Sequence, residues 1–206
     1  MKILAILLFS LSISTLSGQT NDTLFYQNGQ VKAVGQIGND GKVGIWRYYY
    51  PNKALNALLT YKNGQLAGIQ KYYSFKGKLI AREHYENGLL EDSAAYFYPS
   101  GQLEKEGKYE NGLYQGKWMF FYENGNIKRI GNYEQGKPEG PWEFYFENGE
   151  LNQKGILKNG LEDGFWVYFD EGGDQLYEGS WDKGEKVGQW YFFKKGKKKK
   201  WKSFDN

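Results

Sequence analysis

Apolar and polar positions along this chain alternate in short runs, and the runs recur every 24 residues. Setting Gly44, Gly68, Asp92, Gly116, Gly140, Gly164 and Gly188 under one another brings the rest of the chain into columns. The clearest unit is G-K-W-M-F-F-Y-E-N-G-N-I-K-R-I-G-N-Y-E-Q-G-K-P-E, from Gly116 to Glu139. The first run of a unit holds an aromatic triplet, such as Tyr48-Tyr49-Tyr50, Tyr96-Phe97-Tyr98, Phe120-Phe121-Tyr122 or Phe144-Tyr145-Phe146. A Trp stands two residues upstream in most units (Trp46, Trp118, Trp142, Trp166, Trp190). The second run carries an aliphatic anchor (Val31, Leu55, Leu79, Leu103, Ile127, Leu151) and closes on an aromatic (Tyr61, Tyr85, Tyr109, Tyr133, Trp181). Helical periodicity never holds for more than a few residues, so each run reads as a strand.

Two turn signals separate the runs. The first is Asn-Gly or a variant: Asn28-Gly29, Lys76-Gly77, Ser100-Gly101, Asn124-Gly125, Asn148-Gly149, Gly172-Gly173. Between such runs Asn-Gly predicts a tight hairpin turn with both residues at positive φ. The second falls at Gly64, Gly88, Gly112, Gly136, Gly160 and Gly184, and all four prolines (Pro51, Pro99, Pro138, Pro141) sit at turns or unit starts. The prediction is an all-β fold: tandem β-hairpin repeats in an elongated, twisted antiparallel meander, with about eight units over residues 20–193. About fifteen strands at roughly 4.8 Å spacing make an array on the order of 70 Å long. In a stack of this kind each unit buries its apolar face against its neighbours.

The alternation puts Trp118, Phe120 and Tyr122 on one face and Phe121 on the other, so the Trp and first-aromatic columns read as a continuous core. Gly35, Gly107, Gly131, Gly155 and Gly179 read as kinks or as places where a neighbouring ring packs over bare backbone. Two units decay: Gln70 and Ala94 stand where the others have Trp. In the first unit the second turn, Asp40-Gly41, is shifted by one.

Ahead of the first unit, Met1-Lys2 and the apolar run from Ile3 loosely to Leu16 read as a signal peptide over residues 1–18, cut near Ser17–Gln19. That predicts an exported protein, periplasmic or secreted. With no Cys in the chain, repeat stacking must hold the exported domain together without disulfides.

Lys194, Lys195, Lys197, Lys198, Lys199, Lys200 and Lys202 crowd into residues 194–206 around Trp201, leaving a body of 19 basic and 23 acidic residues. This lysine-rich tail is a candidate contact with an anionic membrane surface or an acidic partner, with Lys197, Lys198, Lys199, Lys200 and Trp201 at its centre. Its other reading is a charged guard against edge-to-edge strand pairing. A body that is not basic argues against nucleic acid.

Catalytic and metal chemistry find little to work with. His84 is the lone His and stands where other units carry solvent-facing residues, so nucleophile–base arrangements have a single candidate base. Asp170-Glu171-Gly172-Gly173-Asp174 is an acidic turn without calcium-loop spacing. The chain reads as a non-enzyme with no cofactor, no metal site and no catalytic residue. The column Tyr50, Tyr98, Tyr122 and Phe146 is the candidate partner surface, because Ser74, Asp170 and Lys194 replace it elsewhere. A protein is the first expected partner. With 18% aromatic residues, glycan stacking on the tyrosine column is an alternative.

The run Y/F-Y-x-N-G-x-L/I-x-x-x-G-x-Y-x-x-G-K-x-x-G-x-W, as in Phe121 to Trp142, resembles the bacterial variant of the MORN repeat, found in chains labelled YwqK-family antitoxins. The resemblance spans Leu24 to Phe193. It implies tandem β-hairpins and a role in scaffolding, protein–protein contact or membrane attachment, with an antitoxin or immunity-like role outside the cytoplasm as a further alternative.

Overall fold

The computed structural model describes residues 18–205, so the leader lies outside the described residues apart from Gly18. The strands are β1 (Thr20–Phe25), β2 (Val31–Gly38), β3 (Gly41–Tyr49), β4 (Leu55–Lys62), β5 (Gln65–Leu66) and β6 (Gly68–Tyr73). They continue as β7 (Leu79–Glu86), β8 (Leu89–Phe97), β9 (Leu103–Glu110), β10 (Leu113–Phe121), β11 (Ile127–Glu134) and β12 (Lys137–Tyr145). The last are β13 (Leu151–Lys158), β14 (Leu161–Phe169), β15 (Gln175–Asp182), β16 (Glu185–Lys194) and β17 (Lys197–Phe204). Each pairs antiparallel with the next, β5 and β6 being two pieces of one strand that both pair with β4. The 17 strands form one open meander, as the alternating runs predict.

The two turns of a unit differ, and the difference corrects the expectation for Asn-Gly. In the second turn both residues have positive φ, as at Asn63 (51°) and Gly64 (77°), which is the two-residue hairpin geometry. In the first turn only the closing residue does, a glycine such as Gly125 (92°) or, in one unit, Lys53 (70°). There Gly125 N–H donates to the Tyr122 carbonyl at 2.9 Å and Asn124 caps the turn, its Oδ1 accepting from Asn126 N–H at 2.9 Å. The ladder then shifts register between Phe120 and Phe121. This is a type I turn closed by a left-handed glycine, in which Asn serves as a side-chain acceptor.

The core follows from a bulge at the start of each unit. Opposite Gly107 on β9, the three residues Gly116, Lys117 and Trp118 of β10 take the place of one. Gly116 has φ 64°, and at the same place in β8 stands Asp92 with φ 58°, an acid tolerated in the left-handed region. The bulge swings Trp118 flat onto its neighbour: a Cβ on Gly107 would lie 2.3 Å from the indole. The same holds for Gly35 under Trp46, Gly131 under Trp142, Gly155 under Trp166 and Gly179 under Trp190, with spacings of 2.1 to 2.3 Å. These five indoles are 0–2% exposed. Each Nε1 donates to the carbonyl just after its glycine, from 2.9 Å (Trp118 to Lys108) to 3.2 Å (Trp142 to Asn132, Trp190 to Ser180).

The units lacking Trp are not degenerate. Gln70 is fully buried and reaches the corresponding carbonyl, its Nε2 donating to Thr60 O at 3.2 Å and its Oε1 accepting from Thr60 N–H at 2.6 Å. Eleven residues before Gln70 and Ala94, where a Trp would require glycine, stand Leu59 and Glu83. Within one chain, glycine and tryptophan are thus kept or lost together.

This pairing predicts strong coupling. Gly131→Ala should destabilise the fold by about 3 kcal/mol, since the indole above it cannot retreat. Trp142→Ala should cost about 3–5 kcal/mol. In urea unfolding the double variant should cost clearly less than the sum; additive effects would refute the contact. Conversely, Gln70→Trp alone should destabilise, and Leu59→Gly added to it should recover the loss.

Candidate functional site

Strand alternation divides the sheet into a Trp face and an opposite face, and the two differ in what they leave available. On the Trp face the aromatics mostly satisfy one another. Tyr114 stacks on Trp118 at 3.9 Å between centroids, and Tyr109 meets the same indole edge-on at 5.2 Å. Tyr133 covers Trp142 at 5.2 Å and Trp181 covers Trp190 at 5.6 Å. At Trp46 and Trp190 a lysine adds cover: Lys42 Nζ lies 4.4 Å from the Trp46 ring centroid, and Lys186 Nζ 4.5 Å from that of Trp190.

The candidate tyrosine column runs along the first turns, and its residues are half-buried. Tyr50, Tyr98 and Tyr122 each donate the phenol hydrogen to a carbonyl of the following unit: Tyr73 at 2.9 Å, Phe121 at 2.8 Å and Tyr145 at 2.8 Å. Tyr26 does the same to Tyr49. Phe146 holds the same place without a hydroxyl. The column is therefore a row of staples between successive units, and the structure brings together Tyr98, Tyr122 and Phe146 as consecutive members. Where the column changes type, the replacement caps its own turn. Ser74 Oγ accepts from Lys78 N–H at 3.2 Å, and Asp170 Oδ1 accepts from Gly172 and Asp174 N–H at 3.0 and 2.9 Å. That accounts for the acidic turn as a local hydrogen-bonding device.

Sequence reasoning passes over Glu83. In the glycine column, facing Ala94, its carboxylate accepts from the Tyr96 hydroxyl at 2.7 Å and the Tyr85 hydroxyl at 3.2 Å. Tyr96 and Tyr109 hydroxyls lie 2.9 Å apart, and Lys105 Nζ donates to the Tyr114 hydroxyl at 2.8 Å. The network fills the space of the missing indole, and the joint loss of glycine and Trp in one unit is the signal that could have found it. His84 is half-buried with Nδ1 3.2 Å from the Glu91 carbonyl. Among the described residues no group of three or more His, Asp or Glu side chains is placed to hold a metal ion.

The opposite face is more open. The residue after each unit start forms a row of Ile45, Ile69, Ser93, Lys117, Pro141, Phe165 and Gln189. Ile45 and Ile69 are 54% exposed and Phe165 53%. Shallow hollows of about 480, 330 and 270 Å³ lie where Gly35, Gly107 and Gly131 leave bare backbone.

The lysine segment is a strand. Residues 197–204 pair with β16 through Phe193 to Lys198, Phe192 to Lys199 and Tyr191 to Lys200. Alternation sends Lys197, Lys199 and Trp201 to the Trp face and Lys198 and Lys200 to the other, so the five do not share one face. Lys198 forms an ion pair with Glu178 and lies 4.0 Å over the Tyr191 ring.

The family described as MORN repeat variant matches residues 42–63, 66–87, 94–111, 114–135 and 138–159, in step with the columns. No curated protein matches. Among solved structures, a chain of the crystal structure of TcdB2-TccC3-Cdc42 is similar at 11% identity over 86% of this chain and 13% of that one, with a TM-score of 0.20. This chain thus spans about 13% of the length of that one.

Several phenols packed in the sheet titrate late. Burial foremost pushes Tyr61, Tyr145 and Tyr168 from 10.0 up to about 12, and for Tyr145 the bond to Glu143 adds to it. Burial also raises Tyr96, with its bonds to Tyr109 and Glu83 next. The folded state thus holds these protons more tightly than the unfolded chain, so stability is level below pH 10 and falls as pH rises from 10 through 12. Absorbance of tyrosinate with parallel urea midpoints should show ionisation and unfolding rising together; a full set of phenols ionising near pH 10 in folded protein would contradict the burial.

Proposed function

The chain belongs to the MORN repeat variant family, and from that premise we propose that it is an exported, non-catalytic repeat scaffold that binds another protein along its sheet. MORN repeats suit scaffolds for protein or membrane interaction. The observation that carries the reading is the contrast between the faces. The Trp face is largely consumed by its own packing, whereas the opposite face leaves Ile45, Ile69 and Phe165 more than half exposed in one row. Rigid apolar side chains on an extended surface make protein anchors. The charged start and apolar run of the leader support export. An antitoxin or immunity-like role is the form this reading takes when the partner is a toxin.

Two measurements test it. A photoreactive phenylalanine analogue at position 69 or 165 of the full-length chain, in its native cells, should give one discrete protein adduct. The same analogue at Phe144, on the Trp face, should give none, and Phe165→Glu should abolish the adduct from position 69. Adducts from neither face, or equally from both, overturn the surface. The mature chain should begin between Gly18 and Thr20 and fractionate outside the cytoplasm; an intact Met1 terminus in the cytoplasm overturns export.

A further inference from the structure

The far end of the sheet carries a feature that the face argument does not use. Strand β17 hydrogen-bonds to β16 on one side, and no described strand pairs with its other side. Residues 197–203 are all exposed, Trp201 to 47%. Among the described residues, Lys198 alone of the β17 lysines has a carboxylate partner within ion-pair distance.

An open strand is a template for another strand, and lysine decides which kind. A second copy of β17 would set lysine against lysine, which opposes self-pairing. The other open edge, β1, reads T-N-D-T-L-F and offers Asp22 as its one charge, too little to neutralise Lys197, Lys198, Lys199, Lys200 and Lys202. A bilayer presents a plane, and alternation splits these lysines between two faces, so a plane meets about half of them at a time. The strand edge is where both sets converge with the free backbone groups.

We infer that β17 captures an extended acidic segment of a partner protein by strand addition, carboxylates at consecutive positions meeting the lysines of both faces and an apolar residue lying on Trp201. Backbone hydrogen bonds supply register, and side-chain charge supplies choice. Eight residues of strand span about 26 Å, so the matching segment is six to eight residues, with consecutive acids that alternate between the faces as the lysines do. The inference deepens the scaffold reading by naming a partner chemistry at a second place on the sheet. It stands apart from the outer-face row, because crosslinking at position 165 and peptide capture at β17 succeed or fail separately.

The test uses the full chain and a fluorescent eight-residue peptide with a run of consecutive glutamates flanked by valine and threonine, read by anisotropy. Binding is expected, quenching or shifting Trp201 emission and weakening at least tenfold when salt rises from about 50 to 200 mM. The combined variant Lys197→Gln, Lys199→Gln and Lys200→Gln should weaken it at least tenfold. The same peptide N-methylated at consecutive residues keeps its charge and loses the hydrogen-bond donors of both its edges, and it should fail to bind. No binding of the parent peptide overturns the proposal. So does equal binding of the N-methylated peptide, which would show attraction by charge alone. Displacement of the peptide by phosphatidylglycerol vesicles at matched charge would assign the edge to a membrane instead.

Discussion

The structure depends on an indole lying flat on a glycine of the preceding strand. Most domains bury a sheet against a second layer, and here the described residues form a single sheet. Each unit must therefore find its apolar partner within the sheet, and the bulge at the unit start does this by letting Trp fold onto the neighbouring backbone. Glycine is required because a single methyl would already overlap the ring. The carbonyl released by the bulge would be left without a ladder partner, and the indole N–H takes it, as Trp118 does for Lys108. One side chain thus supplies hydrophobic cover and polar satisfaction at once.

That double duty explains which exceptions are tolerated. Gln70 gives up the apolar surface and keeps the polar half, bonding both backbone groups of Thr60. Freed from an indole, the position below it becomes Leu59. At Ala94 both halves are lost, and the place is taken by the Glu83 carboxylate, which accepts from the Tyr85 and Tyr96 phenols. A carboxylate held by two phenols is costly to strand in low dielectric, so this unit is the most polar point of an otherwise aromatic spine. Between units, coupling is short-ranged: the phenol staples reach one unit ahead, and Gly136 N–H donates to the Tyr114 carbonyl in the unit before.

Period, hairpin pattern and the core columns were legible because they rest on local rules: alternation, turn residues and exact recurrence. The suggestion that rings pack over Gly107 or Gly131 was legible too, since glycine in a strand has few other uses. What could not be read was the consequence of three dimensions. Asn-Gly in the first turn looks like a two-residue hairpin, yet the aromatic before it sits at a bulge, and the register decides. The tyrosine column looks like free surface because charged residues replace it in other units. In space its hydroxyls find carbonyls 23 residues ahead, as Tyr122 finds Tyr145, and its replacements are turn caps with a different task. Seven lysines in a row of thirteen residues look like a tail, because charge density says nothing about whether a neighbouring strand has an edge to offer.

Among the described residues the sheet has two edge strands, β1 and β17, and how each is treated constrains use. Interior units meet similar neighbours on both sides, and what tells them apart is the outer-face row, which changes from Ile45 and Ile69 to Lys117 and Phe165. At the β1 end the exposed strand is short and nearly uncharged. At the β17 end it is eight residues long, with a lysine at five positions and an aromatic at two. A device meant to forbid all pairing would need a proline or a broken strand there, because lysine leaves every outward backbone group available. Charge of one sign forbids only partners of that sign. The last strand is therefore built to refuse its own kind while remaining open to an acidic one, and the repeat's interior keeps that edge extended and in register.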